Sequence, residues 1–182
     1  MMKRLTTGMI LSAALMTAQM GNGLAADRTH GLAGTRIEQQ VRKELVTLPF
    51  YNLFDSFSFR VDGDAVTLMG KVTRPTLKSD AENVVKQIEG IRTVNNQIEV
   101  LPLSPNDDRL RLTLYRAIYG HTVLQTLAIR AVPPIHILVK NGNVTLEGAV
   151  ANSMEKTIAG MQANSVPGVF SVTNNLLLDD AS

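Results

Sequence analysis

The chain predicts an α+β protein made of two tandem αββαβ domains, each a three-stranded mixed sheet with two helices packed on one face. Three observations lead there. Residues 57–100 realign on residues 135–178 without a gap, at a constant offset of 78, with 11 of 44 positions identical, and self-similarity at a fixed period marks a repeated structural unit. Within each copy two runs of alternating apolar and polar residues meet at a glycine-bearing turn, the pattern of a β-hairpin. Before and after each hairpin the apolar spacing changes to three and four, the period of a helix packed on one side. The identities are Val61/Val139, Val66/Val144, Thr67/Thr145, Leu68/Leu146, Gly70/Gly148, Val72/Val150, Lys78/Lys156, Ala81/Ala159, Gly90/Gly168, Val94/Val172 and Asn96/Asn174. Most are apolar or Gly, and no Asp, Glu, His, Ser or Cys recurs, so the duplication specifies a scaffold more than a reaction.

Taken in order, residues 27–34 lack periodicity and read as a flexible leader. A helix follows in which Ile37, Val41, Leu45 and Leu48 form one face until Pro49 stops it. Thr35 is its N-cap and Glu38 completes a capping box. The counterpart in repeat 2 carries Leu110, Leu114 and Ile118, starts at Asn106-Asp107-Asp108 and ends near Gly120. Its offset is 73, so repeat 2 has five more residues between helix and first strand.

In the first hairpin Phe57, Phe59 and Val61 alternate with Ser58 and Arg60, and Val66, Leu68, Gly70 and Val72 with Thr67, Met69 and Lys71. Asp62-Gly63 and Asn141-Gly142 supply the positive φ that tight hairpins need. Gly63 and Gly142 are therefore turn residues. Gly70 and Gly148 fall inside strands, where glycine signals a close approach, here assigned to a helix or the other repeat packing on the sheet. A second helix runs from about Leu77 to Glu89, presenting Ala81, Val84, Val85 and Ile88; its copy runs from Met154 to Val166, presenting Ile158, Ala159, Met161 and Val166. Gly90 and Gly168 are read as the left-handed residues that end these helices. The last strands, Thr93 to Leu101 and Ser171 to Leu178, return by right-handed crossovers, and Asn96 and Asn174 are expected to bond backbone there.

The domain limits that follow are 35–101 and 107–178, with a proline-stiffened linker at 102–106 and a tail at 179–182. A domain of this size buries only about 60% of its unfolded surface, so the two repeats are expected to lean on one another.

Charge and apolarity at the N-terminus predict export. Met1-Met2-Lys3-Arg4 precedes an apolar run from about Leu5 to Met20, then Gly23-Leu24-Ala25-Ala26, which is the layout of a secretory signal over 1–26, cleaved near Ala25 or Ala26. The run is broken by Thr17, Gln19 and Asn22, short of the roughly 20 apolar residues of a spanning helix. The chain has no cysteine, so it has neither disulfides nor a lipid-anchor thiol, and the expected location is the periplasm. Loss of Lys3 and Arg4 takes the net charge from +2 to zero. Residues 36–101 hold nine basic and nine acidic residues, whereas 109–178 hold six basic, Arg109, Arg111, Arg116, Arg130, Lys140 and Lys156, against Glu147 and Glu155. A basic domain is suited to a polyanion or an anionic lipid surface.

The segment Val61-Asp62-Gly63-Asp64-Ala65-Val66-Thr67-Leu68-Met69-Gly70-Lys71-Val72, then Ala81, then Gly90-Ile91 with Val94, Asn96 and Ile98, resembles the BON domain, named for bacterial osmotically inducible and nodulation proteins. Repeat 2 resembles it through Asn141-Gly142-Asn143-Val144-Thr145-Leu146-Glu147-Gly148, Val150, Ala159 and Pro167-Gly168-Val169 with Val172, Asn174 and Leu176. The likeness covers about 140 of 182 residues. It implies a non-catalytic periplasmic protein, similar to the osmotically inducible envelope proteins, that binds phospholipid surfaces and supports envelope integrity under stress, the second domain making the lipid contact.

The residues themselves offer little chemistry. His30, His121 and His136 have no metal-pair spacing, no nucleophile elbow or phosphate loop occurs, and Asp62 with Asp64 lacks the spacing of a calcium loop. No cofactor or metal is expected, and His136 is placed on the outward side of its strand. The lipid-contact candidates are thus Arg109, Arg111, Arg116, Arg130, Lys140 and Lys156, with Tyr115, Tyr119 and Phe170 as the available aromatics; the tyrosines are read as interface anchors with wet hydroxyls. The other reading is a scaffold on which a second envelope protein docks along an open sheet edge.

Overall fold

The computed structural model describes residues 36–130 and 132–179; the export signal, the leader, the Thr35 cap and His30 lie outside them. Helix α1 covers 36–46 and buries Val41 and Leu45, with Leu48 just beyond it, as the spacing requires. Strands β1 (Ser56–Asp62) and β2 (Ala65–Val72) form the hairpin, helix α2 (Pro75–Lys86) crosses over, and β3 (Thr93–Asn96) with β4 (Glu99–Val100) returns parallel to β2. Repeat 2 follows the same course. Helix α3 (Pro105–Tyr119) and a 3-10 turn (Gln125–Ile129) lead into β5 (Ile135–Lys140) and β6 (Asn143–Val150); helix α4 (Ser153–Asn164), β7 (Ser171–Asn174) and β8 (Leu177–Leu178) complete it. The 3-10 turn accommodates the five additional residues.

Each expected last strand is two short ones, making two mixed sheets of about four strands each. The break has one cause in both copies. Asn96 and Asn174 donate to the carbonyls of Lys78 and Lys156 at 2.9 and 2.8 Å and accept from the amides of Ile98 and Leu176 at 3.2 and 3.3 Å. The backbone turns around the amide group, and each sheet is thereby tied to its helix. The bonds lie at the end of β3 and β7, not at the start of the last strand.

Each repeat has its own core between sheet and helices. Val66, Leu68 and Val72 meet Val41, Leu45, Leu77, Ala81 and Val85 in one; Val144, Leu146 and Val150 meet Leu114, Ile118, Ala159 and Ala163 in the other. Met161, expected in the core, is 64% exposed. Gly160 takes α4 so close to β7 that a Cβ there would lie 2.8 Å from the Asn174 side chain, which turns 159, 160 and 163 inward and 161 out. Helices α2 and α4 stop at Lys86 and Asn164, each four residues before its glycine, Gly90 or Gly168; those glycines (φ 97° and 91°) belong to the turn into the next strand instead.

The strand glycines also have a different reason from the one expected. At Gly70 (φ 124°) a Cβ would lie 2.1 Å from the Ser56 carbonyl oxygen, and at Gly148 (φ 116°) 1.9 Å from that of Pro134. The crowding comes from the hairpin's own partner strand. The hairpin turns are not equivalent either. Asp62 is the last residue of β1, paired with Ala65, so the first turn is Gly63-Asp64 with positive φ at Gly63 alone; the second is Asn141-Gly142, positive at both.

Candidate functional site

Two surfaces hold Arg109, Arg116, Phe170 and His136 of the residues that the sequence singles out, and α3 supplies the first. Ser104 caps it, accepting from the Asp107 amide at 3.2 Å, and Pro105 occupies the first turn, inside the stretch read as linker. Asp107 and Asp108 stand in its first turn, and counted with them the excess of repeat 2 over 105–178 is +2, six basic against four acidic. Asp107 is buried, and its carboxylate accepts from the amides of Asn141 and Gly142 at 2.8 and 2.9 Å. This clamps the helix start to the β5–β6 turn. Phe170 stands beside that turn, 84% exposed, its amide donating to Gly142 at 2.9 Å.

The six cations separate on folding. Arg109 and Arg116 are exposed on the outer face of α3, seven apart, with Leu112 between them at 49% exposure. Arg130 is exposed at the end of the 3-10 turn, and Lys156 is half-buried on α4. Lys140 is bound to Glu99 of repeat 1, whose carboxyl that contact holds below its ordinary range. Arg111 is a correction. It is 5% exposed, paired with Asp108, and donates to the Val139 carbonyl at 2.7 Å, so it cannot reach a membrane without opening that contact. Tyr119 is another, being 4% exposed rather than wet. Its hydroxyl donates to the Ile135 carbonyl at 2.8 Å and accepts from the Ile135 amide at 3.0 Å; burial raises its pKa, the first cause.

The second surface is a cleft of about 500 Å³ between the repeats. The segment after α1 reaches across: the Ile137 amide donates to the Leu53 carbonyl at 2.8 Å, and Leu53 and Phe54 pack on the repeat 2 core. Ser56 donates to the Glu147 carboxylate at 2.5 Å. Tyr51 stacks on Phe57 at 5.1 Å and on His136 at 5.8 Å, making the floor. Its hydroxyl pKa is pushed up to about 12, first by burial and then by the carboxylates of Asp55 and Glu147. His136 is not an outward surface group. It lies in the joint, its Nδ1 buried without a partner, and burial lowers its pKa against the opposing pull of Asp55 and Glu147.

Behind the joint, the fully buried Asp55 accepts from the Thr73 amide and hydroxyl at 2.6 and 2.8 Å and from the Asn52 amide at 3.2 Å. Sequence reasoning passed over Tyr51 and Asp55 and read Asp107 only as part of the helix start. An acid or tyrosine in an otherwise apolar or turn-bearing stretch is the one signal that pointed to them. Among the described residues no three His, Asp or Glu side chains gather as a metal site, and no helix is long and apolar enough to cross a membrane.

The family model described as BON domain matches residues 33–102 and 121–180. No curated protein matches the chain. Among solved structures the chain is similar to the C-terminal domain of CdsD, the structural protein of the type III secretion system of Chlamydia trachomatis. The identity is 15% over 78% of this chain and 96% of that one, with a TM-score of 0.28. A second CdsD structure gives 15%, 80%, 94% and 0.29.

Proposed function

Because the chain belongs to the BON domain family through two segments that span most of its length, we propose that it is a non-catalytic periplasmic module that docks on anionic phospholipid through the outer face of α3, supporting the envelope under osmotic stress. The observation that carries this reading is the stripe Arg109, Leu112, Arg116, an exposed apolar side chain between two exposed cations on one helical face. Peripheral binding needs both parts, since apolar insertion and attraction to anionic headgroups add. Each basic residue near such a surface contributes about 1 kcal/mol. Phe170 extends the apolar content at the N-terminal end of α3. No part of this surface requires a reaction.

The test is co-sedimentation with vesicles of anionic or zwitterionic phospholipid at low and moderate salt. Binding is expected to anionic vesicles only and to weaken with salt. Reversing Arg109 and Arg116 to Glu together should weaken it by at least about tenfold, since two contributions of about 1 kcal/mol are lost. Binding that survives this double reversal would show that α3 is not the contact. Failure on every vesicle would transfer the role to docking of another envelope protein.

A further inference from the structure

The two repeats treat the outer edge of their first strand in opposite ways. In repeat 2 the amide of Asn175 bonds the Leu146 carbonyl and that of Asp179 the Val150 carbonyl, so even-numbered β6 residues address β7 and β8. With Leu138 paired to Thr145 and Lys140 to Asn143, the alternation leaves Ile135, Ile137 and Val139 facing away from the sheet. All three are occupied. Tyr119 bonds both groups of Ile135, Leu53 accepts from Ile137, and Arg111 donates to Val139.

The same parity holds in repeat 1, where Gln97 and Leu101 donate to the carbonyls of Leu68 and Val72. Phe57, Phe59 and Val61 therefore face outward, at the offset of 78 from Ile135, Ile137 and Val139. No backbone or side chain among the described residues bonds these three. At the helix offset of 73, Arg111 becomes Glu38 and Tyr119 becomes Val46, so the capping groups are missing from the sequence itself. The open edge at Phe57 and Phe59 lines the cleft, beside Leu45, Tyr51 and Leu177.

We infer that this cleft is a docking site for an extended peptide segment ending in a C-terminal carboxylate, which adds as a strand to β1 at Phe57 and Phe59 and places an apolar side chain in the recess. Strand addition satisfies the main-chain groups, and the pocket beside the edge selects alternate side chains. An acyl chain would fill the recess but leave the amides unpaired, which is costly where water is displaced. Arg42 supplies the charge. It stands at the cleft, 6.0 Å from the Phe59 ring centre, with no carboxylate partner among the described residues, and a guanidinium takes a carboxylate through two parallel bonds. Glu147 also lines the cleft and keeps its charge, but it is bonded at Ser56, three positions along β1 from the Phe59 over which Arg42 stands, so the carboxylate is received at the Arg42 end. A volume of about 500 Å³ lies inside the range of about 300–1,000 Å³ for ligand sites. The site shares no residue with the α3 stripe, so each can fail alone.

The experiment uses the isotope-labelled protein, expressed from its full sequence, with a panel of heptapeptides alternating Thr with Val, Leu or Phe, each with a free or an amidated C-terminus. Palmitate serves as the acyl probe. The expected result is that at least one free-acid peptide slows exchange of the Phe57 and Phe59 amide protons by tenfold or more, and that amidation or Arg42→Glu weakens its binding at least about threefold. Val46→Tyr, which restores the side chain that caps repeat 2, should abolish binding while leaving the fold intact. The inference is overturned if no peptide protects those two amides, if palmitate alone occupies the cleft, or if the Val46→Tyr protein binds peptide undiminished.

Discussion

At Gly70 and Gly148 a single hydrogen in place of a methyl group decides whether the hairpin closes. Ala at either position would meet backbone oxygen at 2.1 or 1.9 Å and also hold φ above 110°, strain that neighbouring backbone cannot relieve by a rotamer change. Urea unfolding of Gly70→Ala or Gly148→Ala is expected to show a loss of about 2–4 kcal/mol. Gly63→Ala meets open space and keeps only the left-handed φ of 64°, so its loss should be about 1 kcal/mol. Equal losses at the two kinds of site would refute the crowding argument. Glycine in both repeats was legible as a constraint in the sequence. Its cause was not, because a period-two pattern says which face a residue takes and nothing of how close the partner strand runs.

Among the elements, α3 has functions on three sides. Its inner side fills the core through Leu114 and Ile118, its outer side carries Arg109, Leu112 and Arg116, and a flank reaches β5 through Arg111 and Tyr119. Tyr119→Phe leaves both groups of Ile135 without their partner and is expected to cost about 1–3 kcal/mol. Combined with Arg111→Met it uncovers the β5 edge, and light scattering should then show self-association that neither the native protein nor Arg116→Met gives. A double variant that stays monomeric would mean the edge is protected by repeat 1 alone. Ser104→Ala removes the N-cap for about 1 kcal/mol. A helical face of basic residues could be drawn from spacing, but the 3.6-residue period alone cannot separate Arg116, turned outward, from Arg111, turned to the strand. The distinction needs the position of β5.

For the whole molecule, the joint between repeats gathers Leu53, Tyr51, Ser56, His136 and Glu147. His136 has a lowered pKa when folded, chiefly through burial, so the unfolded chain binds the proton more readily. Stability is complete above the ordinary histidine value of 6.5 and declines as pH falls below it. The unfolding midpoint should therefore drop as pH falls below about 6.5, and His136→Phe, which keeps the stacking on Tyr51, should flatten that profile. A native profile already flat there would remove His136 from the joint's energetics.

The sequence by itself determined the family, the αββαβ order and the two cores, because these follow from apolar period, glycine placement and the duplication, all of which are read along the chain. It also put Arg109 and Arg116 on one helical face by their spacing of seven and named Asn96 and Asn174 as backbone-bonding. Only the tertiary structure decided that Arg111 and Tyr119 face a strand edge, that Met161 faces water, that His136 is enclosed and that Lys140 is bound to Glu99. Each of these depends on which residue lies opposite across a gap of 14 or more positions. The asymmetry between the repeats has the same origin. Val46 and Tyr119 are both apolar enough for a helix flank, and only a hydroxyl within reach of a strand edge makes one of them a cap.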